Sequence, residues 1–262
     1  YSLLKEKMRP GHSDYPAFVK YQGFNDVRGG GHFSGRITAP IVFAGAIAKQ
    51  ILAKQGIYVG AHILSIKDIY DEYFDMSLSN ETLSYLSKQQ YPVLNKDIYD
   101  QFVKTIDEAR MNQDSVGGKI ECAVIGLKAG LGDPFFDSIE SHLSSLLFSI
   151  PAVKSVAFGN DKISELFGSE ANDCYYYDKD IIKTKTNNNG GIIGGISNGM
   201  PIVFNVGIKP TPSISKVQET VDIKHHQNAT LEIHGRHDPC IVFRATVVVE
   251  AMAALTILDL VR

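Results

Sequence analysis

The stretch from Thr38 to Gly56 does most to decide how this chain can fold. Thr38-Ala39-Pro40 offers an N-cap and a proline in the first turn, where a missing N–H costs nothing. Ile41, Ala44, Ile47, Ala48, Ile51 and Leu52 then recur at helical spacing, and Gly56 is a natural stop. A helix carrying such a stripe must bury it against other elements. Three more helices are predicted: one on Ile98, Phe102, Ile106 and Ala109, one on Ile139, Leu143, Leu146, Leu147 and Ile150 ended by Pro151, and one over residues 250–258. Strands are expected where Ile120, Cys122 and Val124 alternate with Lys119 and Glu121, and along Ile202, Phe204, Val206 and Ile208. Helices and strands mix without a steady β-α-β rhythm, which favours an α+β fold in one interwoven domain over residues 1–262.

Charge and cysteine content narrow the function. Against 26 basic residues stand 29 acidic ones, a net charge of −3, which argues against a nucleic-acid binder. Cys122, Cys174 and Cys240 are an odd number with no CxxC pair, so a reducing, cytoplasmic setting is expected rather than a disulfide scaffold. The most apolar stretch, residues 39–52, is interrupted by Gly45, Lys49 and Gln50 and falls short of the roughly 18 apolar residues of a membrane span, so no membrane partner is expected. The opening, YSLLKEKMRPGH, is unlike a secretory signal and does not begin with methionine.

Four polar, glycine-containing segments lie between the apolar elements. In Arg9-Pro10-Gly11-His12-Ser13-Asp14-Tyr15 a tight turn would hold Arg9 and His12 together, able to bind an anion and deliver a proton, or else form a solvated surface turn. Gly29-Gly30-Gly31, Ser34 and Arg36 run straight into the first helix. They make either an anion site or a glycine turn before a capped helix, and match neither a P-loop nor a dinucleotide fingerprint. In the third segment, Asn187-Asn188-Asn189-Gly190-Gly191 and the Gly194-Gly195 pair can read a polar heterocycle or form a flexible hairpin. Farther on, Lys209 with Thr211 and Ser213, stiffened by Pro210 and Pro212, could hold a phosphate. The fourth, Gly235-Arg236-His237-Asp238-Pro239-Cys240, offers Asp238 as a proton acceptor beside Arg236, or as an N-cap followed by proline. His225, His226, His234 and His237 lack a familiar ligand spacing, so no metal is expected. Cys240 has only His237 nearby to activate it.

Taken together and in this order, RPGHSDY, KYQGFNDVRGGGHFSGRITAP, DSVGG, LGDPFFD, SIPAVK, GSEAND, TNNNGGIIGGISNGMPI, KPTPSIS and GRHDPCIVFRATVVVEAM resemble the chorismate synthase family across essentially the whole chain. The chain departs from the commoner family pattern at His32, Phe33, Gly35, Ile37 and Pro151. It also begins just before RPGH, without the family's N-terminal segment, which carries a second catalytic histidine and further substrate arginines. The resemblance implies a single-domain β-α-β sandwich, a homotetramer, and a 1,4-elimination of phosphate from 5-enolpyruvylshikimate 3-phosphate that needs reduced FMN without net redox change. NADPH is a candidate flavin reductant. A truncated form that binds FMN or substrate without turnover is the alternative. Carried over by position, the resemblance makes His12, Asp238 and Ser34 catalytic. It places FMN on His32, Phe33, Ser34, Pro151, Ala152, Gly194, Lys209, Pro210, Thr211, Pro212, Ser213 and Arg236. The substrate falls on Arg9, Arg36 and Arg236.

Overall fold

The four predicted helices and two predicted strands belong to or pack around one antiparallel sheet, and the way its two faces are covered explains where the sequence reading held. The structure is a computed structural model that describes residues 5–233, 235 and 237–262. Strands β1 (Tyr58–Ile66), β2 (Ile69–Tyr70), β3 (Gly118–Ile125), β4 (Val153–Phe158) and β9 (Ile202–Ile208) form the sheet in the order β2-β1-β3-β9-β4, every neighbouring pair antiparallel. Three two-stranded hairpins stand apart from it: β5 (Tyr175–Asp178) with β6 (Ile181–Thr184), β7 (Ile192–Ile193) with β8 (Ile196–Ser197), and β10 (Gln218–Asp222) with β11 (Gln227–Leu231). The helices are α1 (Asp14–Lys20), α2 (Ala39–Ala53), α3 (Asn80–Leu86), α4 (Ile98–Met111), α5 (Ile139–Leu147), α6 (Gly168–Ala171) and α7 (Val242–Leu260).

The core lies between one face of the sheet and the helical layer. Ala61, Cys122 and Phe204 sit side by side in register, as do Ile63, Ile120 and Val206, and α7 packs over β1 and β3 while touching α2 and α5. The predicted 98–109 and 139–150 stripes bury mainly through Phe102 and Ala109 and through Ile139, Leu143, Leu147 and Ile150, with Ile106 and Leu146 half-buried, and the second helix ends at Leu147, short of Pro151. The last helix is far longer than residues 250–258. It is buried on nearly every side, so its sequence carries no polar face to mark its start.

The first helix needs a larger correction. Its contact with α7 is made by Gly45, Ala48 and Leu52, whereas Ile47 and Ile51 of the predicted stripe are exposed along with Phe43. The reason is how closely the two helices approach: a Cβ on Gly45 would lie 2.3 Å from the Ala251 Cβ, so the small residue, not the largest apolar ones, sets the contact face. Lys49 and Glu250 pair across this contact, and the other Glu250 carboxylate oxygen accepts the Ala61 N–H at 3.0 Å, tying both helices to β1. By length and apolar composition alone, Gly35–Ala53 is comparable with a membrane span.

The opposite sheet face is also covered, and Glu121, one of the polar residues of the predicted alternation, is buried there. His62 Nε2 lies 2.9 Å from Glu121 and its Nδ1 lies 3.3 Å from Asp71, with all three residues buried. Asp71 also accepts the N–H groups of Leu94 and Asn95, and Glu121 accepts that of Phe74, so this cluster fastens the 71–95 segment over the sheet. Burial disfavours the imidazolium, but the two carboxylates outweigh it and raise the His62 pKa.

Gly45→Val is expected to destabilise the protein by about 3 kcal/mol, because backbone and not a flexible side chain stands opposite. Urea unfolding should show a lower midpoint at unchanged slope. An unchanged midpoint would mean that α2 and α7 do not pack through Gly45.

Candidate active site

The site forms at the end of the sheet where β3 begins, β4 begins and β9 ends, with Gly118, Val153 and Ile208 adjacent in register. Gly117 and Gly118 allow this crowding: a Cβ on Gly117 would lie 2.2 Å from the Ile208 carbonyl oxygen, and one on Gly118 2.0 Å from that of Ser65. Six segments then come together at this edge. The Lys209 N–H donates to the Ala152 carbonyl at 3.0 Å, and its ammonium donates to the Gly11 carbonyl. Ser115 Oγ donates to the Thr211 carbonyl at 2.7 Å, and the Val116 N–H to that of Pro239 at 2.8 Å. Arg9 Nη2 donates to the Gly29 carbonyl at 2.9 Å. Segments as much as 198 residues apart are thereby joined.

Asp14 is the centre of the first loop. Its carboxylate accepts both Arg9 Nε and Arg9 Nη2 at 2.7 Å, and His12 Nδ1 donates to it, also at 2.7 Å. Burial alone would raise its pKa, but the bonds from Arg9 and His12 win and hold the carboxyl far below the usual range. Among the described residues no hydrogen bond uses His12 Nε2, so that nitrogen is presented outward. Arg9 is 8% exposed and its guanidinium is engaged by Asp14 and Gly29, so in this structure it braces the loop instead of reaching for a ligand. Asp14 was not singled out from sequence; a carboxylate two residues after a histidine on a tight turn was the available signal.

The glycine loop makes two short 3₁₀ turns, Gly31–Phe33 and Gly35–Thr38, and Ser34 Oγ accepts the Arg36 N–H at 3.3 Å. His32 and Phe33 are exposed and in contact, with ring centroids 4.5 Å apart, and Arg36 is exposed. Arg28 is bidentate with Asp26, which leaves Arg36 as the cation of this loop with no acidic partner among the described residues. Thr38 does not cap α2; its hydroxyl donates to the Gly35 carbonyl instead. In the 149–152 turn Ala152 has φ of +74°, a strained backbone for a residue with a Cβ, next to the Lys209 loop.

The structure departs from the remaining expectations in several places. Asn187, Asn188 and Asn189 each donate a side-chain N–H within the protein, to Pro201, Glu170 and Asp173, so those amides hold their own loop together and are not free to read a heterocycle. Gly194 sits on the exposed β7–β8 turn, which is tied through Gly195 to Ile139. Asp238 is paired with Arg244 at 3.1 Å, and His237 Nε2 lies 3.2 Å from the Ile233 carbonyl. Arg236 and His234 lie outside the described residues. Burial pushes the Cys240 thiol up to about 11, which removes the case for it as a nucleophile. Glu6, Asp222 and His225 come close together, yet Glu6 pairs with Lys224 and Asp222 accepts from His225.

An oriented histidine with one ring nitrogen unpartnered, glycine-bent loops and a strained turn come together at one sheet end, an arrangement able to hold an anion and move a proton. The family model for chorismate synthase matches residues 1–261. Chorismate synthases of Pyrococcus abyssi and Korarchaeum cryptofilum are 44% and 45% identical to this chain, covering 99% of it and 71% of their own lengths. That of Lachnoclostridium phytofermentans is 46% identical, over 99% of this chain and 70% of its own. A crystal structure of chorismate synthase superimposes with a TM-score of 0.76 at 27% identity, covering 95% of this chain and 69% of that one. The chain belongs to the chorismate synthase family, the lyases that convert 5-enolpyruvylshikimate 3-phosphate to chorismate in the shikimate pathway.

Asp14→Asn is expected to cost about 3 kcal/mol, because it leaves the buried Arg9 cation without its partner. Since the folded pKa is depressed, the wild-type advantage is full above the unfolded carboxylate value near 3.8 and fades as pH falls below it. Urea titrations of both proteins from pH 7 down to pH 3 check this; a gap already closing between pH 7 and pH 5 would contradict it.

Proposed function

We propose that this sheet end holds reduced FMN beside 5-enolpyruvylshikimate 3-phosphate and that its own residues manage the protons and charges of the elimination. The observation that carries the reading is the hydrogen-bonded junction of the 9–14, 28–36, 149–152 and 209–213 loops, because these are the segments that the family resemblance assigns to flavin and substrate. The residues suit such a group. Thr211 Oγ1 is buried without a hydrogen-bond partner among the described residues, beside the Lys209 ammonium, as a hydroxyl awaiting an oxyanion would be.

In this reading Lys209, Thr211 and Ser213 take the flavin phosphate, while Pro210 and Pro212 stiffen the loop that carries them. His32, Phe33, Ser34, Pro151, Ala152 and Gly194 are the further residues that the family resemblance would have hold the flavin. Reduced FMN bound there would supply the electron density that the departure of the C3 phosphate and the loss of the C6 hydrogen call for. His12, braced at Nδ1 by Asp14, holds a proton at Nε2 to balance the flavin's charge. Asp238 would serve as the proton acceptor beside the flavin, with the Ser34 hydroxyl as relay. Arg36 and Arg236 would clamp the substrate's phosphate and carboxylates, while Arg9 holds the loop in place through Asp14 and Gly29. NADPH is the candidate reductant. A homotetramer in the cytoplasm is the setting, supported by free cysteines and by large exposed apolar residues such as Phe43, Phe135 and Phe136.

Anaerobic assays of the full chain with reduced FMN and substrate test this directly. Asp238→Ala and His12→Ala should each lower turnover by about 10²- to 10⁴-fold while FMN binding stays within a few-fold of wild type. Unchanged turnover in either variant removes that residue from the mechanism.

A further inference from the structure

One side chain beside the Lys209 loop has no role in the scheme above. Gln218 opens β10, and its amide nitrogen Nε2 is fully buried with no hydrogen-bond partner among the described residues. It borders a cavity of about 300 Å³ that is also lined by Pro10, Gly11, Lys209, Thr211 and Pro212. Thr211 Oγ1 is the other buried, unpartnered polar atom on this cavity. A buried amide N–H or hydroxyl left without a partner costs about 1–3 kcal/mol, so two of them on one cavity mark a place where an acceptor belongs.

The strand explains how Gln218 comes to be there. Residues two apart in a strand share a face, and Thr220 donates its hydroxyl to the Met8 carbonyl while the Met8 N–H donates to Val221. β10 is thus fastened beneath the chain that enters the Arg9–Asp14 turn, which sets Gln218 under Pro10 and Gly11. The nearby acid, Asp114, is neutralised by Lys216 at 2.7 Å, so it does not repel an anion from the cavity.

We propose that Gln218 is a binding residue for a phosphate monoester, its Nε2 donating alongside the Lys209 ammonium and the Thr211 hydroxyl. The three groups offer a cation, a hydroxyl and an amide donor, which together match the three terminal oxygens of such a group. The inference rests on the flavin reading of this site. Two phosphate monoesters fit that reading, the 5′-phosphate of FMN and the 3-phosphate of the substrate.

Gln218→Glu keeps the side chain's shape but replaces the donor with a negative acceptor, and Gln218→Leu removes the polar group altogether. Binding of FMN and of riboflavin is followed by flavin fluorescence, and binding of the substrate by calorimetry, with circular dichroism as the check on folding. At least tenfold weaker FMN binding in both variants, with riboflavin unchanged, supports the proposal and identifies the flavin phosphate. Unchanged flavin binding with at least tenfold weaker substrate binding supports it and identifies the substrate phosphate. Wild-type affinity for all three ligands overturns it while the flavin reading stands. Equal losses for FMN and riboflavin also overturn it, since Gln218 would then serve only the packing of the loop. A wild-type protein that binds neither FMN nor substrate defeats the flavin reading and this inference with it.

Discussion

The carboxylate of Asp14 is the constraint on which the site depends. One half-buried group fixes a guanidinium through two parallel hydrogen bonds and an imidazole through a third. Because Arg9 continues to the Gly29 carbonyl, the same carboxylate also sets where the glycine loop can lie. A buried cation and a half-buried carboxylate each carry a desolvation penalty, and their close pairing offsets it only in this geometry. The histidine is therefore oriented by an arrangement that tolerates little displacement, while its outward nitrogen remains free for chemistry.

Around that centre the protein gathers polar loops at one end of an apolar sheet. The sheet end is a useful place for this, since each antiparallel strand must leave or enter there and can bring a loop with it. Two glycines permit the close approach of the strand ends, and a ladder of loop-to-loop hydrogen bonds then does the rest. The slightly acidic net charge is no obstacle to binding anions. Acidic residues near the site are mostly paired with cations, as Asp26 is with Arg28, Asp114 with Lys216 and Asp238 with Arg244, so local fields are set by the placed lysine, arginine and backbone N–H groups.

Much of the fold was legible where one face of an element meets water. Helices α4 and α5 and strand β9 carried their period openly. Strand β1 and helix α7 were obscured because both are covered on all sides, and a run of apolar residues has no phase to read. The burial of Glu121 was not legible, because alternation looks the same whether the polar face meets water or a buried histidine. Of the candidate site, the glycine loops and the Lys209 loop were readable as places for an anion. Arg9 was readable as a cation but not as one already paired, and Asp14 and Gln218 drew no attention because their importance lies in partners and neighbours distant in sequence.

The sequence by itself determined the family, the order of the chemistry-bearing segments and the α+β class, since long motifs and local periodicity are properties of neighbouring residues. Only the tertiary structure decided which side chains remain free. The asparagines of the 187–189 run hold their own loop, Arg9 is locked to Asp14, and Thr211 and Gln218 are left buried with hydrogen-bonding capacity unmet. Such satisfaction is a matter of distances between residues far apart along the chain, and no local pattern encodes it.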